Sequence, residues 1–133
     1  HYHNKQKMIQ VFLVGLGGAI GSVLRYMLSG CVLHHAVGFR FPLGTFVVNM
    51  LGCLVIGLLS GLVVRYGLFS APARLFLFTG IAGGFTTFSA FGLETFTLMR
   101  GGEILIAGSY VVSSVIIGLL VLWLGFSVVT YRS

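Results

Sequence analysis

Four long apolar runs constrain the fold of this chain more than any other feature of its sequence. They cover roughly residues 9–33, 43–64, 75–99 and 104–131. Each run exceeds the roughly 20 residues that an α-helix needs to cross a hydrocarbon layer of ~30 Å. Of the 133 residues, 57% are hydrophobic and only 8% are charged, a balance that soluble domains do not show. We therefore predict an all-α membrane protein with four transmembrane helices, in which residues 8–133 form a single domain.

The first seven residues form a polar segment ahead of Met8. Two interpretations stay open, a short N-terminal extension or a cloning remnant with Met8 as the natural start. Lys5 and Lys7 before an apolar run imitate a signal peptide. The run continues too far for one, and no small-residue cleavage site followed by a polar mature sequence is present.

The third run contains a stretch, residues 80–94, that is poorly suited to a continuous helix. Gly83 and Gly84 are followed by the β-branched Thr86 and Thr87, and all four weaken helix propensity. In hydrocarbon, an unpaired backbone group costs several kcal/mol, roughly, so a break there requires protein, an ion or a water-filled cavity as partner. We predict that the third helix is broken in the middle of the membrane and that the break marks a site.

Small residues recur four positions apart in three of the runs. The pairs are Gly17 and Gly21, Gly57 and Gly61, and Gly80 and Gly84. Such faces allow helices to approach closely in lipid, where no hydrophobic drive holds them together. The pattern predicts a tightly packed bundle.

The basic residues lie mostly at the ends of the apolar runs, and they form no basic face for a nucleic acid. With four spans, one side of the membrane holds Lys5, Lys7, Arg65, Arg74 and Arg132. The other side holds Arg40 and Arg100, with Arg25 near it. Counting from residue 1, the bias moderately favours cytoplasmic termini. Counting from Met8 it is nearly balanced, which predicts insertion in both orientations.

The sequence argues against catalysis. Its two acidic residues, Glu94 and Glu103, lie on different segments, and no nucleophile–base pair or metal cluster can be assembled. We expect His34 and His35 to lie solvated in a loop. Cys31 and Cys53 have no metal or redox spacing, and we interpret them as buried small side chains.

Polar and aromatic side chains within the spans are the remaining candidates for chemistry. Thr45 and Asn49 lie one helical turn apart, and Phe88 and Phe91 share a face. Two interpretations stay open: hydrogen bonds and packing between helices, or an ion path. Aromatic ring edges are electropositive, so beside amide and hydroxyl donors they can bind a small anion without a buried charge that would trap it.

Three motifs resemble the Fluc/CrcB fluoride channels. The first span contains Gly17-Gly18-x-x-Gly21-x-x-x-Arg25-Tyr26, and the second contains Gly44-Thr45-x-x-x-Asn49. The third contains Gly83-Gly84-Phe85-Thr86-Thr87-Phe88-Ser89-x-Phe91-x-x-Glu94. The resemblance runs from Met8 to the end of the chain, and the fourth span matches only loosely.

The resemblance implies an antiparallel, dual-topology homodimer with two pores, each built from both subunits. The residues that it implies along the fluoride path are Phe88, Phe91, Asn49, Ser89, Thr45 and Ser114. It implies pore-end charges at Arg25 and Glu94, and a central structural Na⁺ held by the backbone carbonyls of Gly83 and Thr86. Two positions depart from relatives, which often carry a hydroxyl at Gly92 and in some cases a polar residue at Gly118.

The function expected on this basis is passive, fluoride-selective efflux across a bacterial inner membrane. The alternative is a proton-coupled, four-span, dual-topology exporter with Glu94 as the proton carrier, because an acid within a span marks a functional site by default. Against the exporter, Glu94 lies near the end of its span.

Overall fold

The computed structural model describes residues 2–35, 38 and 40–131. Arg132, one of the basic residues counted above for the membrane orientation, and His1 therefore lie outside the described residues. Three long helices are continuous, namely α1 (Tyr2–His35), α2 (Leu43–Tyr66) and α6 (Ile104–Thr130). The third segment is built from α3 (Ala71–Arg74), a π-helix (Leu75–Ala82), α4 (Gly83–Phe85) and α5 (Ser89–Arg100). Four segments are thus long and apolar enough to cross a membrane, which confirms the predicted all-α, four-span fold.

The first helix is longer at both ends than its apolar run. It begins at Tyr2, and the side-chain amide of Gln6 donates to the Tyr2 hydroxyl over 2.9 Å, one turn away. It ends at His35, so the prediction that His34 and His35 lie in a loop was wrong. The two imidazoles are exposed in the last turn, where a positive charge is compatible with the helix dipole.

The glycine pairs lie where helices touch. α1 packs against the third segment, and α2 packs against α6. A Cβ on Gly17 would lie only 2.6 Å from the Phe76 carbonyl oxygen, and a Cβ on Gly57 would collide with the main chain of Leu122. The facing helices can therefore approach this closely only because these positions are glycine. The predicted close packing is confirmed at these pairs.

At one end of the bundle, an ion pair links the connection before α2 to the short turn between α5 and α6. The turn between α5 and α6 has Gly102 at φ 79°, and the Glu103 N–H closes it on the Leu98 carbonyl over 2.8 Å. The Glu103 carboxylate also pairs with the Arg40 guanidinium at 2.5 Å. This ion pair links the connection before α2 to the turn before α6.

The two cysteines differ in their surroundings. Both are free thiols, but Cys31 is exposed on α1, so its prediction as a buried side chain was wrong. An apolar run can face lipid as well as protein, and hydropathy alone does not separate the two. Cys53, on α2, is partly buried.

Candidate binding site at the interrupted third segment

The helix of the third segment stops for three residues between α4 and α5. Two hydrogen bonds mark the end of the helix before the interruption. The backbone N–H and the hydroxyl of Thr86 both donate to the Ala82 carbonyl, over 3.0 and 2.9 Å. Thr86 then turns to an extended conformation, with φ −84° and ψ 156°. Helical hydrogen bonding resumes at Ser89.

The side chain of Asn49 pairs with the part-buried peptide groups of Thr87 at this interruption. Its Nδ2 donates to the Thr87 carbonyl over 3.1 Å, and its Oδ1 accepts from the Thr87 N–H over 3.0 Å. The carboxamide of α2 thus acts as a second peptide group would, satisfying both the donor and the acceptor of Thr87. One N–H of the Asn49 amide remains available for another acceptor.

Thr87 also starts the second half of the segment. Its hydroxyl accepts from the Ala90 N–H over 3.1 Å and lies 3.3 Å from the Ser89 hydroxyl. A hydroxyl that accepts from the N–H three residues later is the usual N-terminal cap of a helix. The side chains of Asn49 and Thr87 thus replace three of the backbone hydrogen-bond partners at the interruption.

Four carbonyl oxygens at the interruption fall into two groups. Those of Gly84 and Thr87 accept from side chains, the first from Arg25 Nε over 3.2 Å and the second from Asn49. Those of Gly83 and Thr86 lose their helical partners, since the Thr87 and Ala90 N–H groups donate to side-chain oxygens instead.

The two carbonyls whose helical donors bond to side chains instead, Gly83 and Thr86, are the pair that the resemblance assigns to Na⁺. Carbonyl oxygens are suitable ligands for a hard cation. The donor set at Gly83 and Thr86 therefore fits such an ion. A side-chain metal centre is not indicated, because the described residues contain no group of three His, Cys, Asp or Glu side chains.

Aromatic rings form a row that begins at the interruption. The centroids of Phe88 and Phe91 are 5.8 Å apart, and those of Phe91 and Tyr110 are 4.9 Å apart. The Tyr110 ring meets Phe41 edge-on at 5.3 Å. At the start of the row Phe88 is 82% exposed, whereas Tyr110 in α6 is fully buried.

Tyr110 is a site residue that the sequence analysis did not single out. Its hydroxyl is buried, and the described residues offer it no hydrogen-bond partner. One signal was available in the sequence. Tyr110 lies four residues before Ser114, so the two polar side chains share one face of α6.

An open cavity of about 320 Å³ lies beside the interruption. Five of the predicted site residues line it, namely Asn49, Thr86, Phe88, Phe91 and Ser114. Two thioether- or thiol-bearing side chains of α2, Met50 and Cys53, complete the same wall. Ser89 does not line the cavity, but its hydroxyl contacts the hydroxyl of Thr87, and Thr87 is a lining residue.

The remaining predicted residues lie around this cavity rather than in its wall. The buried Thr45 donates its hydroxyl proton to the Glu94 carboxylate, one turn of α2 away from Asn49. Arg25 reaches the Gly84 carbonyl from α1, next to the predicted Na⁺ ligand Gly83. Of the two predicted pore-end charges, Arg25 therefore contacts α4 from α1, whereas Glu94 belongs to α5 and contacts α2.

The fold and this site define a multi-pass helical membrane protein with an aromatic and polar cavity at an interrupted segment. Residues 12–126 match the family described as CrcB-like protein, Camphor Resistance (CrcB). The chain belongs to this family, as its motifs predicted.

Several relatives match almost the whole chain. A Methylobacillus flagellatus protein named "Fluoride-specific ion channel FluC" is 58% identical over 122 residues, which cover 92% of this chain and 95% of the relative. A Flavobacterium psychrophilum protein of the same name is 45% identical over 118 residues, covering 89% and 94%. Another from Geotalea daltonii is 44% identical over 124 residues, covering 93% and 99%.

Proposed function

We propose that this chain is a fluoride-selective ion channel that allows passive fluoride efflux across a bacterial inner membrane. The observation that carries the proposal is the cavity in which Phe88, Phe91, Asn49 and Ser114 come together. It occurs in a chain that is 58% identical to a relative named for fluoride conduction. The chemistry of this wall suits a small anion.

The path would offer a dehydrated fluoride many weak donors. The edges of the Phe88 and Phe91 rings are electropositive, and the free N–H of Asn49 and the hydroxyls of Ser89 and Ser114 are stronger donors. Since the cavity wall carries no charged side chain, the anion is stabilised without being held too tightly to leave.

Thr45 would act indirectly in this path. A hydroxyl has one proton, and the Thr45 proton is donated to Glu94. It therefore orients the Glu94 carboxylate rather than donating to the ion. Glu94 and Arg25 would set the potential at the ends of the path, with the Arg25 guanidinium attracting the anion.

The functional unit that we propose is an antiparallel homodimer with two pores. One subunit leaves much of the proposed path uncovered, because none of the twelve residues of α5 is buried and Phe88 is 82% exposed. A second subunit in the opposite orientation would cover this helix and complete each pore.

A structural Na⁺ between the two subunits is the remaining part of the proposal. The Gly83 and Thr86 carbonyls of each subunit would hold it, and two-fold symmetry would supply four oxygens from two. When bound, the ion would compensate carbonyl groups that lose their helical donors in one subunit. The chain's own contribution is to keep those two oxygens free by sending the Thr87 and Ala90 N–H groups elsewhere.

Ion-specific efflux from liposomes tests this function. Vesicles are loaded with fluoride, no proton gradient is imposed, and a potassium ionophore clamps the voltage. If the chain is a channel, fluoride leaves the vesicles down its gradient and chloride stays inside. Since a channel carries out no uphill transport, Glu94→Gln has no such transport to lose. Fluoride that stays inside until a proton gradient is imposed, together with loss of flux in Glu94→Gln, contradicts the channel.

The proton-coupled exporter gains no support from the relatives described above, which bear a channel name. Glu94 also has a hydrogen-bond partner in Thr45 that gives it a role within a passive path. The exporter is therefore not proposed.

A further inference from the structure

The cavity wall contains two sulfur atoms that the proposed fluoride path does not use. Met50 and Cys53 are three residues apart on α2, so they share one face of the helix. Both side chains line the cavity beside Asn49 and Ser114.

The ends of these two side chains both face the same glycine of the facing helix. A Cβ on Gly118 of α6 would lie 3.3 Å from Met50 Cε and 3.5 Å from Cys53 Sγ. The methyl end of the thioether and the thiol sulfur therefore approach the same point. Since Gly118 carries no side chain, that point stays open between the two sulfur-bearing groups.

The chemistry of this pocket selects soft metal ions. Thiolate and thioether ligands prefer soft cations such as Cu⁺ and, by the same chemistry, Ag⁺, which accept low coordination numbers. The rest of the cavity wall offers an amide, hydroxyls and aromatic rings but no carboxylate or imidazole. Hard divalent cations find no suitable ligand set there.

We propose that Cys53 and Met50 form a binding site for a soft monovalent cation, and that the bound ion obstructs fluoride passage. Binding forms a bond between the cation and the Cys53 sulfur while the thiol proton passes to water, and the Met50 sulfur donates a lone pair. No oxidation or reduction occurs. The site belongs to the cavity wall, and its effect on flux rests on the proposed channel function.

Fluoride efflux in the presence of Ag⁺, measured in nitrate salts because silver chloride precipitates, tests the obstruction. In the wild type, micromolar Ag⁺ slows efflux by at least about tenfold, and excess thiosulfate restores it. Cys53→Ser abolishes the effect relative to its own metal-free rate. Met50→Leu keeps the volume but raises the Ag⁺ concentration needed by about tenfold. Gly118→Ser, which fills the gap, also weakens the effect.

The second cysteine supplies the matched control. Cys31 is exposed on α1 and lies outside the cavity, so Cys31→Ser keeps the full response to Ag⁺. Equal inhibition of Cys53→Ser and the wild type overturns the proposal, as does loss of inhibition in Cys31→Ser.

A binding measurement separates this site from the channel function. Purified Cys31→Ser protein binds one Ag⁺ per subunit with a silver–thiolate absorbance, and the Cys31→Ser/Cys53→Ser protein lacks this absorbance and the Ag⁺ that gives rise to it. If the metal-free wild type passes no fluoride, the channel proposal fails while this titration still decides the metal site. Equal Ag⁺ binding by the two proteins overturns the site itself, and binding without slower efflux overturns the obstruction.

Discussion

At the scale of single residues, the Asn49 carboxamide replaces backbone pairing that the third segment lacks. Its two hydrogen bonds to Thr87 cross from α2 to the interruption, where no strand or helix partner is available. Removing one partner of a buried hydrogen bond leaves the other group unsatisfied, and this cost exceeds the value of the bond itself. Asn49 is therefore expected to be structural as well as part of the proposed path.

Replacing Asn49 by Ala is predicted to lower both stability and fluoride flux. The Thr87 N–H and carbonyl lose their partners together, at a cost of about 1–3 kcal/mol for each group. Thermal unfolding of the purified protein and liposome efflux measure the two effects. Asn4→Ala, at an exposed position near the start of α1, is the control and changes neither. An Asn49→Ala protein that unfolds at the wild-type temperature contradicts the pairing role.

The phenylalanine pair gives a second prediction at this scale. Replacing Phe88 or Phe91 by Ile keeps an apolar side chain but removes the electropositive ring edge. We expect fluoride efflux to slow by about tenfold or more, equivalent to about 1.4 kcal/mol of barrier, while the protein stays folded. Phe96→Ile, on the same helix but outside the cavity wall, is the control. Unchanged efflux in both cavity variants argues against a path along these rings.

Individual residues were predictable where the local pattern carried the signal. Thr45 and Asn49 share a helix face in the sequence, and both hydrogen bond to the third segment. Tyr110 was not predicted, because its role depends on rings from Phe41 and Phe91 that are distant in the chain. Pairing of Asn49 with Thr87 also required the packing of α2 against the interruption, which no spacing specifies.

At the scale of elements, the third segment combines a predictable and an unpredictable feature. Weak helix propensity at Gly83-Gly84 and Thr86-Thr87 pointed to the place where regular helical hydrogen bonding stops. Nothing in residues 75–82 indicated a π-helix before it. Such wide turns accommodate an extra residue and change which faces the flanking helices present. Here the π-helix packs against α1.

The contact of α1 with the π-helix yields a prediction for elements. A Cβ on Gly17 would lie 2.6 Å from the Phe76 carbonyl oxygen and 2.9 Å from Gly80 Cα, so Gly17→Ala must push the two helices apart. We expect a loss of about 1–3 kcal/mol in unfolding free energy. Gly15→Ala is the matched control, because open space surrounds that position, and alanine favours the helix by up to about 1 kcal/mol. Denaturant titration in detergent compares the two, and equal stability contradicts the packing role.

At the scale of the whole molecule, charge and exposure bear on how subunits assemble. α5 contains no buried residue, and Phe88 at its start is 82% exposed, so one subunit does not enclose the proposed path. From Met8 onward the flanking basic residues are nearly balanced between the two sides. Near balance removes the usual preference for one orientation, because lysine and arginine in short loops set the topology. These two features support the proposed antiparallel pair.

Cysteine labelling from each side of the membrane tests this arrangement. In a background with Cys31 and Cys53 replaced by Ser, single cysteines are introduced as Arg40→Cys and Arg74→Cys, on opposite sides of the four-span bundle. Insertion in both orientations predicts that a membrane-impermeant thiol reagent modifies about half of each variant from outside and the remainder after permeabilisation. Since Arg40 pairs with Glu103, Arg100→Cys at the end of α5, expected on the same side as Arg40, is the control that leaves this ion pair intact. If each position reacts from one side only, the dual-topology dimer is wrong. The moderate bias that includes Lys5 and Lys7 then determines a single orientation.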